Sequence, residues 1–142
     1  MSIAINSGTT WQTRVPHHAR SAAAVRRWLA SALGSTCPDL MEDLHAVSTE
    51  LICNAVRHAP PLPEGDIWVH CELNDDTIEF SVTDGGAETP PCMRKLDTTS
   101  PNGRGLLIVT ALAHQWGVRD GIDSRTVWAR MTGTPTPAVS GP

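Results

Sequence analysis

Three groups of residues have the types and spacing to do chemistry. Glu50 and Asn54 lie four apart in the run Val47-Ser48-Thr49-Glu50-Leu51-Ile52-Cys53-Asn54-Ala55-Val56-Arg57-His58-Ala59. On a helix that interval is one turn, so a carboxylate and a carboxamide project together, with Arg57 and His58 a turn further on. Asp84 opens Asp84-Gly85-Gly86. A carboxylate at a strand end can accept a hydrogen bond from an exocyclic amine, and glycines let a flat ring approach the backbone. Gly103-Arg104-Gly105 precedes the apolar run Leu106-Leu107-Ile108-Val109, and the free amides and dipole of a helix N-terminus attract phosphate. Each motif alone has an ordinary counterpart: a turn, a flexible joint, a polar helix surface.

The elements that must position these groups follow from periodicity. Leu40, Leu44, Val47, Leu51 and Ala55 recur at steps of three and four, the helical period. Glu50 and Asn54 run beside that stripe rather than opposite it, where a pocket between helix and sheet could begin. Pro38, Asp39 and Glu42 suit a helix start, because proline lacks a donor the first turn could not use and acids favour the positive end of the dipole. Pro60, Pro61 and Pro63 stop the helix after Ala59.

Upstream, Trp11, Thr13 and Val15 alternate with Gln12 and Arg14 as a short strand ended by Pro16. Residues 17–33 read as a first helix, with Ala22, Val25, Trp28 or Leu29, and Ala32 on one face and Gly34 as its stop. His17 and His18, at its start, read as solvated. Downstream, Ile67, Val69, Cys71 and Leu73, then Ile78, Phe80 and Val82, alternate about Asn74-Asp75-Asp76, an antiparallel hairpin that delivers Asp84 at its end. Residues 87–102 are long for a loop, and such loops are more often functional than idle. A third helix runs from Gly103 to Ala113 and is broken by Gly117, after which 116–119 and 126–131 form a second hairpin. Residues 1–8 read as a flexible start and 132–142 as a disordered tail, leaving one domain over 9–131.

Composition narrows the function classes. A chain of 142 residues is large enough for one real core. Its formal charge of −4 offers no basic field for a nucleic-acid backbone, so no direct nucleic-acid partner is expected. The four cysteines have neither paired nor secreted-domain spacing and read as reduced thiols in the cytoplasm. His70 beside Cys71 is not a ligand pair, because neighbours on a strand face opposite ways. No stretch approaches the roughly 20 apolar residues of a membrane span, so no membrane partner is expected.

Taken in order, Ser48-Thr49-Glu50-Leu51-Ile52-Cys53-Asn54-Ala55-Val56-Arg57-His58-Ala59, Val82-Thr83-Asp84-Gly85-Gly86, Gly103-Arg104-Gly105-Leu106-Leu107-Ile108-Val109 and Arg125-Thr126-Val127-Trp128-Ala129 resemble the Bergerat ATP-binding fold of sensor histidine kinases and gyrase-type ATPases. Within that fold the chain resembles the small bacterial anti-sigma factor serine/threonine kinases. The resemblance implies an α+β, two-layer sandwich: a mixed, mostly antiparallel sheet covered on one face by about three helices. It implies ATP and magnesium as cofactors. Glu50 then falls on the catalytic general base that takes a proton from a serine hydroxyl. Asn54 falls on the ligand of the magnesium bridging the ATP phosphates. Asp84 falls on the acceptor of the adenine amine, with Thr126 near it through the last strand. Gly86, Gly103, Arg104, Gly105 and Leu106 fall on further nucleotide contacts, and 87–102 on a mobile lid. Arg57 and His58 match the phosphate side, although for Arg57 a solvated cation facing the helix dipole is an equal alternative. Two departures stand out: Ala87 and Glu88 follow the glycines, and Arg125 stands where a lysine often precedes the final threonine.

The function this resemblance implies is an ATP-binding anti-sigma regulatory factor. It would phosphorylate an anti-sigma factor antagonist protein, sequester a sigma factor, and form a homodimer. The alternative is a catalytically weak or inactive ATP-binding regulator acting by protein contact alone. Trp68, on the opposite face of its strand from Ile67 and Val69, is either a partner contact or packed under the first helix or a loop.

Overall fold

A computed structural model of the chain describes residues 8–86 and 101–132, with the backbone alone described over 101–106. In chain order the elements are β1 (Thr9–Pro16), α1 (Ser21–Leu33), a 3-10 turn (Pro38–Leu40) leading into α2 (Met41–His58), β2 (Asp66–Asn74), β3 (Thr77–Asp84), α3 (Pro101–Leu112), β4 (Gln115–Gly121) and β5 (Ser124–Thr132). The strands form a five-stranded sheet in the order β1-β2-β3-β5-β4. This is the expected two-layer α+β architecture, and all four described pairings are antiparallel.

Alternation decides which face carries the core. Val15, Ile67, Val69, Cys71, Ile78, Phe80, Val82, Ala129 and Met131 are buried on one side of the sheet. They meet Val25, Leu29 and Leu33 of α1 and Leu44, Val47, Leu51 and Ile52 of α2. A one-residue slip of β3 would swap Ile78, Phe80 and Val82 for the polar set Glu79, Ser81 and Thr83, forfeiting about 1.5–3 kcal/mol per large side chain. The register that sets Asp84 at the strand end is therefore held by the core. α2 packs on both α1 and α3 and lies against β3 and β5.

Several expectations are corrected. Helix α1 begins at Ser21 rather than at residue 17, because the chain first turns after Pro16: Ser21 Oγ donates to the Pro16 carbonyl at 2.6 Å and its amide to that of His18 at 2.9 Å. Leu29, not Trp28, is the fully buried member of its face. His17 is half-buried rather than solvated. Its Nε2 lies 2.7 Å from the carbonyl of Ala59 and 3.2 Å from that of Ala55. Carbonyls only accept, so the Nε2–H tautomer is required, and the ring caps the last turn of α2.

Gly117 does not break a helix. Helix α3 has already ended at Leu112, and Gly117 lies within β4, where a Cβ would stand 2.7 Å from Cζ2 of Trp128. The glycine leaves room for that indole, which is flanked by Arg119 and Arg130, each 5.0 Å from the ring centre. Glu79 binds both guanidinium groups, at 3.4 and 2.8 Å.

Trp68 is 39% exposed on the face away from the helices, with Arg14 5.7 Å from its ring centre; it does not pack under α1. Thr132 closes β5 opposite Thr77 instead of opening a tail. The expected flexible start, the rest of the tail and the lid through residue 100 lie outside the described residues. Cys37, Cys53 and Cys71 are free thiols, and Cys71 faces the core while its neighbour His70 does not.

Candidate functional site

The site is built on one flank of α2. Arg26 of α1 donates to Thr49 Oγ1 at 2.8 Å, so the Thr49 flank faces α1. The helical repeat then sets Glu50 and Asn54 on the opposite flank, on the side where α3 packs. Both side chains are half-buried. Among the described residues neither has a hydrogen-bond or ion-pair partner, although half-buried polar groups usually find one. A carboxylate and a carboxamide thus stand one helical turn apart on this flank. Arg57, exposed, and half-buried His58 complete the last turn of the helix.

The strand end is tied to this helix. Asp84 shares the parity of Ile78, Phe80 and Val82, faces the helical layer and is 4% exposed. Its Oδ1 accepts the Gly86 amide at 2.8 Å, which fixes the carboxylate in the turn. The Gly85 amide donates to Pro60 O at 2.9 Å, two residues beyond α2. A Cβ at Gly85 would collide with the Pro61 carbonyl, so only glycine permits this approach. Gly86 has φ +81° and abuts Ser124 at the start of β5. The ends of α2 and β3 and the beginning of β5 therefore converge at Asp84.

The third group lies differently from the expectation. Helix α3 starts at Pro101, so Gly103 and Gly105 fall inside its first turns rather than before them. Proline at the first position needs no acceptor, and by helix geometry the amides of Asn102 and Gly103 have no intrahelical partner. The side chains of Arg104 and Leu106 lie outside the described residues.

Thr126 is corrected outright. It pairs in register with Thr83, and the two hydroxyls are 2.7 Å apart. Both point to the face of the sheet opposite Asp84. The residue directly across from Asp84 is Arg125. It is 6% exposed and its Nε donates to Asp120 Oδ1 at 2.8 Å. The sequence motif alone does not set Arg125 opposite Asp84. The signal was present in Arg125, Val127, Ala129 and Met131, a period-two series that sets an arginine on the core face.

Set beside known proteins, residues 15–131 match the family described as the histidine kinase-like ATPase domain. No curated protein matches the chain in sequence. Among solved structures, the chain is similar to the RsbU and RsbW domains of Rv1364c from Mycobacterium tuberculosis, with a TM-score of 0.66 at 19% identity over 88% of this chain. It spans 32% of that chain's length, and at this identity the likeness concerns the fold.

Proposed function

The chain belongs to the histidine kinase-like ATPase domain family, and from that premise we propose that it is an ATP-binding anti-sigma regulatory factor with serine/threonine protein kinase activity. It acts in the cytoplasm on an anti-sigma factor antagonist protein, holds a sigma factor when not so engaged, and works as a homodimer over a domain spanning 9–131. What carries this reading is the tie between Gly85 and Pro60: the carboxylate suited to a base amine belongs to the same rigid unit as Glu50 and Asn54.

In this reading Asp84 accepts the adenine amine while its turn keeps the carboxylate in place. Asn54, half-buried and without a partner among the described residues, offers its carbonyl oxygen to magnesium. Among the described residues there is no group of three or more His, Cys, Asp or Glu side chains that could hold an ion; in this reading Asn54 and the nucleotide phosphates would share it. Bound there, magnesium neutralises charge on the phosphates. In this reading the amides at the start of α3 take phosphate oxygens, with Arg57 and His58 as further phosphate contacts. Glu50 takes the proton from the attacking hydroxyl as its oxygen bonds to the γ-phosphorus and the bond to ADP breaks.

Glu50→Ala tests the catalytic part. Phosphate transfer from labelled ATP to the antagonist should fall by at least about a hundredfold while capture of the antagonist is unchanged. Undiminished transfer would remove Glu50 from the reaction and leave a regulator that acts by contact alone.

A further inference from the structure

Helix α3 carries aliphatic residues on its outward side as well as its inward one. Val109 is fully buried in the core, yet Leu107 is 50% and Ile108 38% exposed, and Thr110, Ala111 and His114 beside them are exposed too. Leu107 and Ala111 are four apart, one turn above the other, with Ile108 next to them, so the outward side is an aliphatic strip. Of the large apolar side chains exposed among the described residues, only Leu107 and Ile108 are neighbours in sequence. A surface helix ordinarily turns charge to water, as α1 and α2 do with the exposed Arg27 and Glu42. From Gly105 to Val118 the chain has no Asp, Glu, Lys or Arg.

The place of this strip decides what can cover it. Helix α3 packs on α2, on the flank of Glu50 and Asn54, and in the proposed reaction phosphate lies at its first amides. Leu107 is four residues beyond Gly103, about 6 Å along the axis. A protein partner covers roughly 800 Å² of its target, a patch about 30 Å across. A hydroxyl delivered to that phosphate therefore brings its own neighbours over Leu107 and Ile108. Charged neighbours would lose water there and find no counter-charge, whereas aliphatic ones would bury apolar area on both sides.

We propose that this strip is the docking surface for the phosphoacceptor protein, and that it selects serine or threonine sites with aliphatic side chains two to four residues away. An extended segment advances about 3.3 Å per residue, so that spacing spans the distance from the phosphate end of α3 to the strip. The proposal rests on the reading in which Glu50 serves transfer to a hydroxyl. Leu107 and Ile108 touch no reacting atom; they position the acceptor.

The test uses labelled magnesium-ATP and synthetic serine peptides, one with leucine at the flanking positions and two matched peptides with aspartate or lysine there. The wild type should phosphorylate the leucine peptide with a KM about tenfold below those of the charged ones, the scale of burying one aliphatic side chain. Leu107→Lys and Ile108→Lys should each abolish that preference and turn it towards the aspartate peptide, with magnesium-ATP affinity unchanged by calorimetry. A merely structural role would lower transfer to all peptides alike. Leu107→Met, which keeps the apolar surface, should behave as wild type. A leucine preference retained in both lysine variants would overturn the docking role and leave that of Glu50 standing. Equal transfer by the wild type to all three peptides, or transfer to none, would overturn it too, while the comparison of wild type with Glu50→Ala on the antagonist decides the underlying reading separately. A lower molar mass of the lysine variants in light scattering, with no change in peptide preference, would assign the strip to a second copy of the chain instead.

Discussion

Asn54 and Glu50 are half-buried and make no polar contact among the described residues, so removing either takes nothing from the folded chain alone. Asn54→Ala should therefore leave thermal stability within about 0.5 kcal/mol of wild type. The same change should abolish the gain in ATP affinity on adding magnesium, measured by calorimetry with and without the ion. A large loss of stability with unaltered magnesium dependence would mark Asn54 as structural. Cys71 is the opposite kind of residue, fully buried and used for packing. Burial, then Cys37, then Glu72 push its thiol up to about 12. In the unfolded chain the thiol ionises near its ordinary value, and in the folded one it keeps its proton. Stability from this group is thus complete below about pH 8 and is lost as pH rises from about 9 towards 12, by at most about 4 kcal/mol. Unfolding of wild type and Cys71→Ala across that range should show the extra alkaline loss in wild type alone.

Between elements, the joints that matter are made by side chains whose partners are distant in sequence. His17 reaches 42 residues along the chain to the Ala59 carbonyl and closes the end of α2 from which the Asp84 turn hangs. His17→Ala should cost about 1 kcal/mol, lowering Tm by a few degrees, and should weaken nucleotide binding through a looser α2 terminus. Gly117 makes an independent comparison on the other face. Gly117→Val would drive a side chain into the Trp128 ring and disturb its Arg119 and Arg130 flanks, costing about 1–3 kcal/mol with nucleotide affinity unchanged. Equal effects of both variants on affinity would mean that overall stability, not the end of α2, controls binding.

At the scale of the molecule, the parts legible in the sequence were those written as a period. The stripe of α2 and the alternation of β2, β3 and β5 gave elements and faces directly, and with them the flank of Glu50 and Asn54 and the strand end at Asp84. Contacts across the chain were not legible. Nothing near His17 announces that it caps a helix end 42 residues away, and a glycine beneath a tryptophan reads locally as a helix breaker. Thr126 was misplaced because motif order does not carry register; only pairing with β3 shows that Arg125 is the residue opposite Asp84. Together these parts support the proposal that the buried Asp84 turn, fixed to the end of α2, is the base-recognition end of a magnesium-ATP site. Calorimetric titration of magnesium-ATP into the wild type and Asp84→Asn tests it most directly. Saturable binding to the wild type that falls at least about tenfold in the variant is the predicted result; no binding to the wild type, or equal binding to both, would contradict it.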